Sequence, residues 1–577
     1  MLRNREIANL LDEIAELLEA KGESVFRIGA YRNAARRIEG WPEDIEEVWK
    51  AGRLDDIPGV GESIAAKVSE YLQTGRLEYL QKLKEDVGPG LAELLAVPGL
   101  GPRRAHLIHD RLGISTVDDL AAAAREHRLR ALPRMSEKLE AAVLREVTRL
   151  AQRSQRLPLG VALPAAEEAA MALRSHPAIQ RVEPAGSIRR RRDTIGDIDL
   201  LVASAQPAAA VGAFTSLHIA REVLASGSTK ATILTAGNLQ IDLRVVAPDE
   251  WGAALLYFTG SKEHNIELRE MAMRRGWKLN EYGLFDEASG RRLASATEHD
   301  VYASLGLPWI PPELRESRGE IAAAAAGRLP TLIEVTDLRG DLHVHSNWSD
   351  GADTLEAIAA AAKERGYEYL AITDHSPGLG IARGLTRDRV KSQRVAIEAL
   401  NARLAPFRLL HGAEVNIRND GTLDYPETVL NAFDIVVIAV HGAFTQSEAA
   451  MTERILAAMR KPSVAILAHP TGRLIGKREP YAVDLERVLR GARECNVAVE
   501  INSQGDRLDL NDQWARRAKE LGVALVVSTD AHAVGQLDLT RYGVAMARRA
   551  WLESNDILNT LPLDALLERL RSHREAA

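Results

Sequence analysis

From Leu338 onward the chain repeats one unit: a short β-branched apolar run, a histidine or carboxylate at its end, then a helical stretch. The runs are Leu370–Thr373, Ile435–Val440, Val464–Ala468, Val497–Ile501 and Val523–Val527. Continuous apolar runs of this kind suit parallel strands covered on both faces. Helical patterns at Ala352–Glu364, Arg387–Leu404 and Leu485–Cys495 separate them. Strand alternating with helix predicts an α/β barrel, and such barrels carry their chemistry at the carboxyl ends of the strands. His375 follows the first run, His441 the second, His469 the third, and Asp530 and His532 the last. His343 and His345, two apart on a further strand, point the same way.

With Asp350 and Glu414 these make nine ionisable groups in one repeating pattern. Desolvating a single charge costs several kcal/mol. One histidine at a strand end is an ordinary loop residue, but nine such groups call for a bound partner. Imidazole and carboxylate without thiolate suit Zn, Mn or Fe. Nine ligands exceed one tetrahedral site, which implies two or three ions and, with them, hydrolysis of a phosphoester. Glu500 and Asn502 also end a strand and read as supporting contacts behind the ligands or as substrate contacts.

The segments His343-Val-His345-Ser346, Thr373-Asp374-His375 and Ser528-Thr-Asp530-Ala-His532 resemble the motifs of the polymerase and histidinol phosphatase (PHP) superfamily. That resemblance implies a distorted (β/α)7 barrel with a trinuclear site, holding Zn²⁺ and/or Mn²⁺. By it, His343, His345, Asp350, His375, Glu414, His441, His469, Asp530 and His532 fill all nine ligand positions.

A second constellation lies upstream. Gly186-Ser187 is followed by the basic run Arg189–Arg192 and then by Asp197-Ile198-Asp199. Residues two apart on a strand share a face, so both carboxylates project together. In the alternating segment Leu239–Val245, Leu239, Ile241 and Leu243 face a core and leave Asp242 on the other side. Three carboxylates on adjacent strands can hold two Mg²⁺ or Mn²⁺ ions, which activate an attacking oxygen and stabilise a leaving pyrophosphate. Gly186 and Ser187 offer donors to a triphosphate.

This arrangement resembles the nucleotidyltransferase superfamily. The stretch Leu256-Tyr257-Phe258-Thr259-Gly260-Ser261, with Asn265, Arg269 and Asn280-Glu281-Tyr282, narrows the resemblance to the family X DNA polymerases. It implies that Asp197 and Asp199 bind both metals and that Asp242 binds the catalytic ion. It also implies that Ser187 and Arg190 contact the triphosphate, that Tyr257 and Phe258 line the sugar pocket, and that Gly260 is a further nucleotide contact. Asn265 then meets the base edge and Arg269 the template strand.

Ile57-Pro-Gly59-Val-Gly61 and Val97-Pro-Gly99-Leu-Gly101 form an internal repeat, each before a helical pattern, Glu62–Leu72 and Pro102–Leu112. Glycines allow positive φ, and the amides opening the next helix can bind phosphate. This is the helix-hairpin-helix signature, which grips DNA backbone without reading bases. The first 80 residues resemble the small DNA-binding domain of family X enzymes. Lys67 stands where some relatives carry a Schiff-base lysine, but Arg27 and Ser63 replace other lysines of the lyase-active members. Lys67 is therefore read as a phosphate contact.

The net charge of −7 is a whole-chain sum, and Arg103-Arg104 and Arg189–Arg192 supply local basic patches. One cysteine, Cys495, excludes an internal disulfide framework and suits a reducing cytoplasm. No apolar run approaches the length of a membrane span. Prolines at 308, 311, 312 and 330 mark a linker. The expected organisation is a helix-hairpin-helix domain at 1–85 and a helical fingers-like domain at 86–157. A palm at 158–255, a thumb at 256–310, a linker at 311–337 and a barrel at 338–577 follow. The fold class is thus multidomain: α-helical, then α+β palm and thumb, then the (β/α)7 barrel. The implied function is gap filling in base-excision repair by a two-metal polymerase, using gapped or primed DNA and deoxynucleoside triphosphates. The barrel is expected to act as a 3′→5′ exonuclease, with or without abasic-site endonuclease activity. A monomer suffices for both reactions.

Overall fold

The computed structural model describes residues 2–576 apart from 21–22, 40, 42, 75–76, 88–93, 95–96, 98–99, 101, 134, 138, 145–146, 148–155, 236–238 and 379–381. Two compact units result. One comprises Met1–Gln155 with Ala533–Gly535, the other Arg156–His532 with Gln536–Ala577.

The amino-terminal unit is helical. Leu2–Ala20 presents Ile7, Leu11, Ile14 and Leu18 to a core shared with Ile38, Ile45 and Val68. Residues spaced by three and four on one helix share a face, so the pattern in the sequence becomes the buried stripe. The first hairpin turn runs from the 3₁₀ segment Leu54–Asp56 into helix Glu62–Thr74. Gly59 adopts φ +90°, and a Cβ there would meet Asn33 Nδ2 at 2.6 Å. Only glycine tolerates both demands. Helix Pro102–Leu112 follows the second repeat, whose Gly99 and Gly101 lie outside the described residues.

In the second unit, five strands make a mixed sheet: β1 (Arg181–Pro184), β2 (Ile198–Ala203), β3 (Ala220–Ser226), β4 (Lys230–Thr235) and β5 (Gln240–Val246). Their order is β1-β2-β5-β4-β3, with β2 and β5 parallel and the other neighbours antiparallel. The register of β2 on β5 sets Asp199 directly opposite Asp242. Asp197 precedes the strand rather than lying on it and is exposed. Helices Trp251–Thr259 and Lys262–Met273 and a small antiparallel sheet (Trp277–Asn280, Gly283–Asp286, Arg292–Ala294) come next. The linker holds the short turn Pro312–Leu314 and the helix Glu320–Ala325.

Seven parallel strands follow in sequential order: β6 (Gly340–Val344), β7 (Tyr369–Ile372), β8 (Arg408–Asn416), β9 (Ile435–Ala439), β10 (Ile466–Leu467), β11 (Ala498–Asn502) and β12 (Leu525–Ser528). β6 and β12 close the ring through one parallel bridge, Val344 to Ala531, with His345 N donating to Ala531 O at 2.8 Å. Side chains stitch the rest of that seam. Asp341 accepts from Thr529 Oγ1 at 2.5 Å, and Asn559 Nδ2 donates to Gly340 O and Val527 O at 2.7 and 2.8 Å. β8 was absent from the apolar runs because Arg408, His411 and Glu414 interrupt it; yet His411 and Glu414 are buried, His411 against Gln393 at 3.2 Å.

Palm and barrel share one apolar core, from Leu159 and Ala162 to Leu508 and Tyr542. Helix Leu159–Arg174 meets the loop after β11 so closely that Gly160 and Gly505 touch backbone to backbone. Ion pairs Asp193–Arg473 and Glu167–Arg541, both at 2.9 Å, flank that contact.

Candidate active sites

All nine ionisable groups foreseen in the barrel converge at the carboxyl ends of its strands. Three sets have mutually close donor atoms, within 4.8 Å: His345, Asp350, His375 and His532; His343, His345 and Asp530; His375, Glu414 and His441. Shared His345 and His375 join the sets into one cluster. His469 completes it, with Nε2 2.9 Å from Glu414 Oε1, and His441 Nε2 lies 3.1 Å from the same oxygen.

Polar satisfaction argues that this cluster is built for cations. His343 Nε2, both ring nitrogens of His345, and the Nδ1 atoms of His375 and His441 are buried without a hydrogen-bond partner among the described residues. His375 Nδ1 is 3.0 Å from Glu414 Oε2 yet out of line for a bond. Orphaned buried nitrogens are rare unless a ligand claims them. The donor set of imidazoles and carboxylates fits divalent ions.

The electrostatics agree. Burial alone would raise the Glu414 carboxyl, but His441, His375 and His343 hold it well below its usual range. Burial, then His532 and His375, push the His345 imidazole down to about 3, leaving it neutral at physiological pH. Asp350 outweighs burial at His532 and raises it to about 9. Two residues of the cluster occupy left-handed backbone, His469 at φ +28° and Asp530 at φ +51°. Such strain persists where surrounding structure fixes it, commonly at functional sites.

Glu500 and Asn502 stand behind the ligands. Glu500 binds His343 Nδ1 through Oε1 and His469 N through Oε2, each at 2.7 Å, and Asn502 Nδ2 reaches Asp530 Oδ2 at 3.2 Å. Asp374, between strand and ligand, locks the loop after β6 by accepting from Ser346 Oγ, Ser349 Oγ and Gln393 Nε2 at 2.5 Å each. Sequence reasoning missed that role. Arg507, whose Nε lies 3.8 Å from Asp530 Oδ2, was missed as well, because nothing in its local pattern marks it.

In the palm, Asp199 and Asp242 sit side by side on a cavity of about 230 Å³ lined also by Ala185, Lys230, Thr232, Arg244 and Phe258. Burial, then the charges of Asp197 and Asp242, push the Asp199 carboxyl up to about 7. Carboxylates crowded in this way favour a cation between them. Thr232 Oγ1 and Gln240 Nε2 steady Asp242 at 2.5 and 2.9 Å. Gly186, at φ +56°, has no room for a Cβ, which would fall 2.3 Å from Asp199 Oδ2. Ser187 Oγ is buried and has no hydrogen-bond partner among the described residues.

Arg190, expected as a triphosphate contact, is bonded within the fold. Its Nε binds Glu316 at 3.0 Å and its Nη1 binds Thr259 O at 2.5 Å, and the residue is 8% exposed. Tyr257 and Phe258 pack edge to face at 5.2 Å; Phe258 lines the cavity, whereas Tyr257 does not and is 38% exposed. Gly260, at φ +69°, ends that helix. Asn265 Nδ2 donates to Tyr257 O at 2.8 Å and Arg269 Nε to Asn265 O at 3.2 Å. In the amino-terminal unit, Lys67 Nζ lies 2.9 Å from Ser63 Oγ and 4.7 Å above the Tyr79 ring, while Arg27 reaches Tyr79 Oη at 3.0 Å. Burial, then Arg27, lowers the Lys67 ammonium.

Comparison with known proteins bears on both sites. Over 573 residues the chain is 37% identical to the DNA polymerase/3′-5′ exonuclease PolX of Bacillus subtilis, spanning 98% of this chain and 100% of that protein. This chain belongs to the family X DNA polymerases. Residues 2–77 of the polymerase match the family described as helix-hairpin-helix domain, and 91–148 the SAM-like helix-hairpin-helix tandem. Residues 254–316 match DNA polymerase beta thumb, and 341–504 match PHP domain. The barrel has separate relatives too. A probable phosphatase of Thermoanaerobacter sp. is 29% identical over 231 residues, 38% of this chain and 89% of that protein. Another, from Shewanella sp., is 30% identical over 249 residues, 41% and 94% respectively.

Proposed function

We propose that this polymerase fills short gaps in DNA from deoxynucleoside triphosphates and trims 3′ ends in its barrel, as a cytoplasmic repair enzyme. The carrying observation is the presence on one chain of two separate acidic or histidine-rich centres, Asp199 beside Asp242 and the nine-residue cluster. When bound, divalent cations at these centres would polarise the reacting phosphates and neutralise the charge that develops on them.

In the palm, Asp197, Asp199 and Asp242 hold Mg²⁺ or Mn²⁺. Asp242, in register with Asp199, is the carboxylate that would favour loss of the primer 3′-hydroxyl proton. Ser187 Oγ and the backbone at Gly186 receive the triphosphate, with Arg190 beside them. Phe258, Tyr257 and Gly260 bound the sugar, Asn265 meets the base and Arg269 the template. Gly59, Gly61, Gly99 and Gly101 let the hairpins approach DNA backbone, and Lys67 adds a phosphate contact.

In the barrel, the nine ligands hold two or three Zn²⁺ or Mn²⁺ ions, and Glu500, Asn502 and Asp374 fix their orientation. The exonuclease would clear blocked or mismatched ends that the palm then extends.

A labelled primer at a one-nucleotide gap, with Mn²⁺, tests both assignments. Lengthening with nucleotides and shortening without them is expected. Asp242→Ala should abolish lengthening alone, and His469→Ala shortening alone. Loss of both activities in either folded variant would refute two independent sites.

A further inference from the structure

We propose that Arg549, a residue of the barrel, is a positioning residue for nucleotide addition in the palm, acting through Glu316 and Arg190. Arg549 ends helix Thr540–Arg549, on the outer layer of the barrel, and its side chain is 2% exposed. Among the described residues none of its side-chain hydrogen bonds goes to the barrel's histidine cluster. One guanidinium nitrogen, Nη1, donates to Arg190 O at 2.6 Å and to Glu316 Oε1 at 3.0 Å. The other, Nη2, binds Asp512 Oδ2 at 2.8 Å, an oxygen shared with Arg318 Nη1 at 2.9 Å.

The Glu316 oxygen that receives Arg549 also receives Arg190 Nε at 3.0 Å. Arg549 therefore grips the palm at both ends of one residue, the carbonyl of Arg190 and the carboxylate that aims its side chain. With Nε and Nη1 of Arg190 engaged, Nη2 has no hydrogen-bond partner among the described residues. Arg190 closes the turn that begins at Gly186, its N donating to Gly186 O at 3.3 Å, and Gly186 abuts the Asp199 carboxylate, so the residue stands beside the palm carboxylates.

Charge counting supports an anion as its partner. The network holds four guanidiniums, Arg190, Arg192, Arg318 and Arg549, against two carboxylates, Glu316 and Asp512. The buried members, Arg190, Arg549, Glu316 and Asp512, balance in charge, while Arg192 and Arg318, 42% and 27% exposed, add a positive field at the surface that favours an anion. A nucleoside triphosphate at Gly186–Ser187 would be such an anion, and a planar guanidinium fork held at fixed angle suits phosphate recognition. The turn that follows is also barrel-bound, through Asp193 to Arg473 at 2.9 Å.

The inference rests on reading Arg190 as a triphosphate contact, and the test separates the two. Single-nucleotide gap filling is measured on the full chain for Arg549→Lys, Arg549→Met, Arg190→Ala and the double variant, with Mn²⁺-dependent exonuclease rate and Tm as controls. Lysine can serve only one side of the fork. Arg549→Lys should raise the KM for deoxynucleotide about tenfold, the loss of one charge-assisted hydrogen bond, and leave the exonuclease rate unchanged. Arg549→Met should do more. In the Arg190→Ala background Arg549→Lys should add little, because the side chain it aims is gone. If Arg190→Ala raises KM but Arg549→Lys does not, the positioning role is wrong. An unchanged KM in Arg190→Ala overturns the triphosphate reading itself. Additive effects, or parallel loss of both activities with Tm, would make Arg549 a scaffold residue and overturn the proposal.

Discussion

Replacing Gly160 by alanine probes how the palm supports the nuclease. The new Cβ would sit 2.6 Å from Gly505 Cα, 3.1 Å from its carbonyl carbon and 3.2 Å from its oxygen, all backbone atoms with no rotamer to give. Restoring an ordinary contact near 3.4 Å requires the two segments to part by about 0.8 Å. Overpacking of that kind costs about 1–3 kcal/mol, offset by at most about 1 kcal/mol from the better helix propensity of alanine. The displaced loop is not idle. Gln504 Nε2 in it donates to Thr529 O at 2.8 Å and Asp530 O at 3.0 Å, and Arg507 faces the Asp530 carboxylate. Moving it by most of an ångström should disturb Asp530 and slow the exonuclease about 10²-fold, the usual effect of a misplacement of that size. Gap filling should persist, since Asp199 and Asp242 lie on another sheet. The assay is exonuclease and extension on one labelled gap, with thermal unfolding in parallel. Parental Tm and parental exonuclease rate in Gly160→Ala would refute the close approach. Equal loss of both activities would show that the palm yields instead of the loop. Gly505→Ala, whose Cβ would lie 2.7 Å from Gly160 Cα, should give the same phenotype.

Other perturbations have equally definite outcomes. Glu414→Gln removes the negative charge at the centre of five histidines, so bound metal measured by elemental analysis should fall with exonuclease rate while extension continues. Because Asp199 is raised to about 7, protons compete for it below that pH. The divalent-ion concentration giving half-maximal extension should therefore rise by up to about tenfold per pH unit below 7, and a flat profile would count against Asp199 as a ligand. Glu298 accepts from Arg189, Arg315 and Trp309 in the thumb, and despite burial Arg315 and Arg189 hold its carboxyl well below the usual range. A depressed carboxylate stabilises the folded state above its unfolded pKa and loses that contribution as pH falls towards the folded one. Glu298→Gln should cost about 3–5 kcal/mol at neutral pH and flatten the acid dependence of Tm below pH 4.5; an unchanged Tm would refute it.

The barrel was legible because two-sided burial writes itself as β-branched runs, and because several of the runs end in a histidine or carboxylate that the fold gathers into one cluster. β8 escaped for the opposite reason: Glu414 and His411 lie inside the strand, and their burial is tolerated only through partners distant in sequence. Asp199 and Asp242 were visible as a short motif and an alternation, but their in-register pairing depends on a parallel contact between segments separated by two other strands. Asp197 showed the limit of spacing as a guide, since the strand begins one residue too late to include it. Arg190 and Arg549 show another. A basic run announces charge, but which guanidinium is buried and by whom is decided by the tertiary fold, and 359 residues separate that donor from its acceptor.

The barrel seam has a further meaning for how the enzyme keeps its shape. Neighbouring strands elsewhere are held by ladders of backbone bonds, whereas β6 and β12 share one bridge and the side chains of Asp341 and Asn559. The cluster straddles that join, with His343 and His345 on one lip and Asp530 and His532 on the other. Cations bound there would rivet the ring shut, so chelation should loosen the amides of 340–345 and 525–531 before any other part of the barrel exchanges. The nuclease centre would then also be the clasp of its own domain.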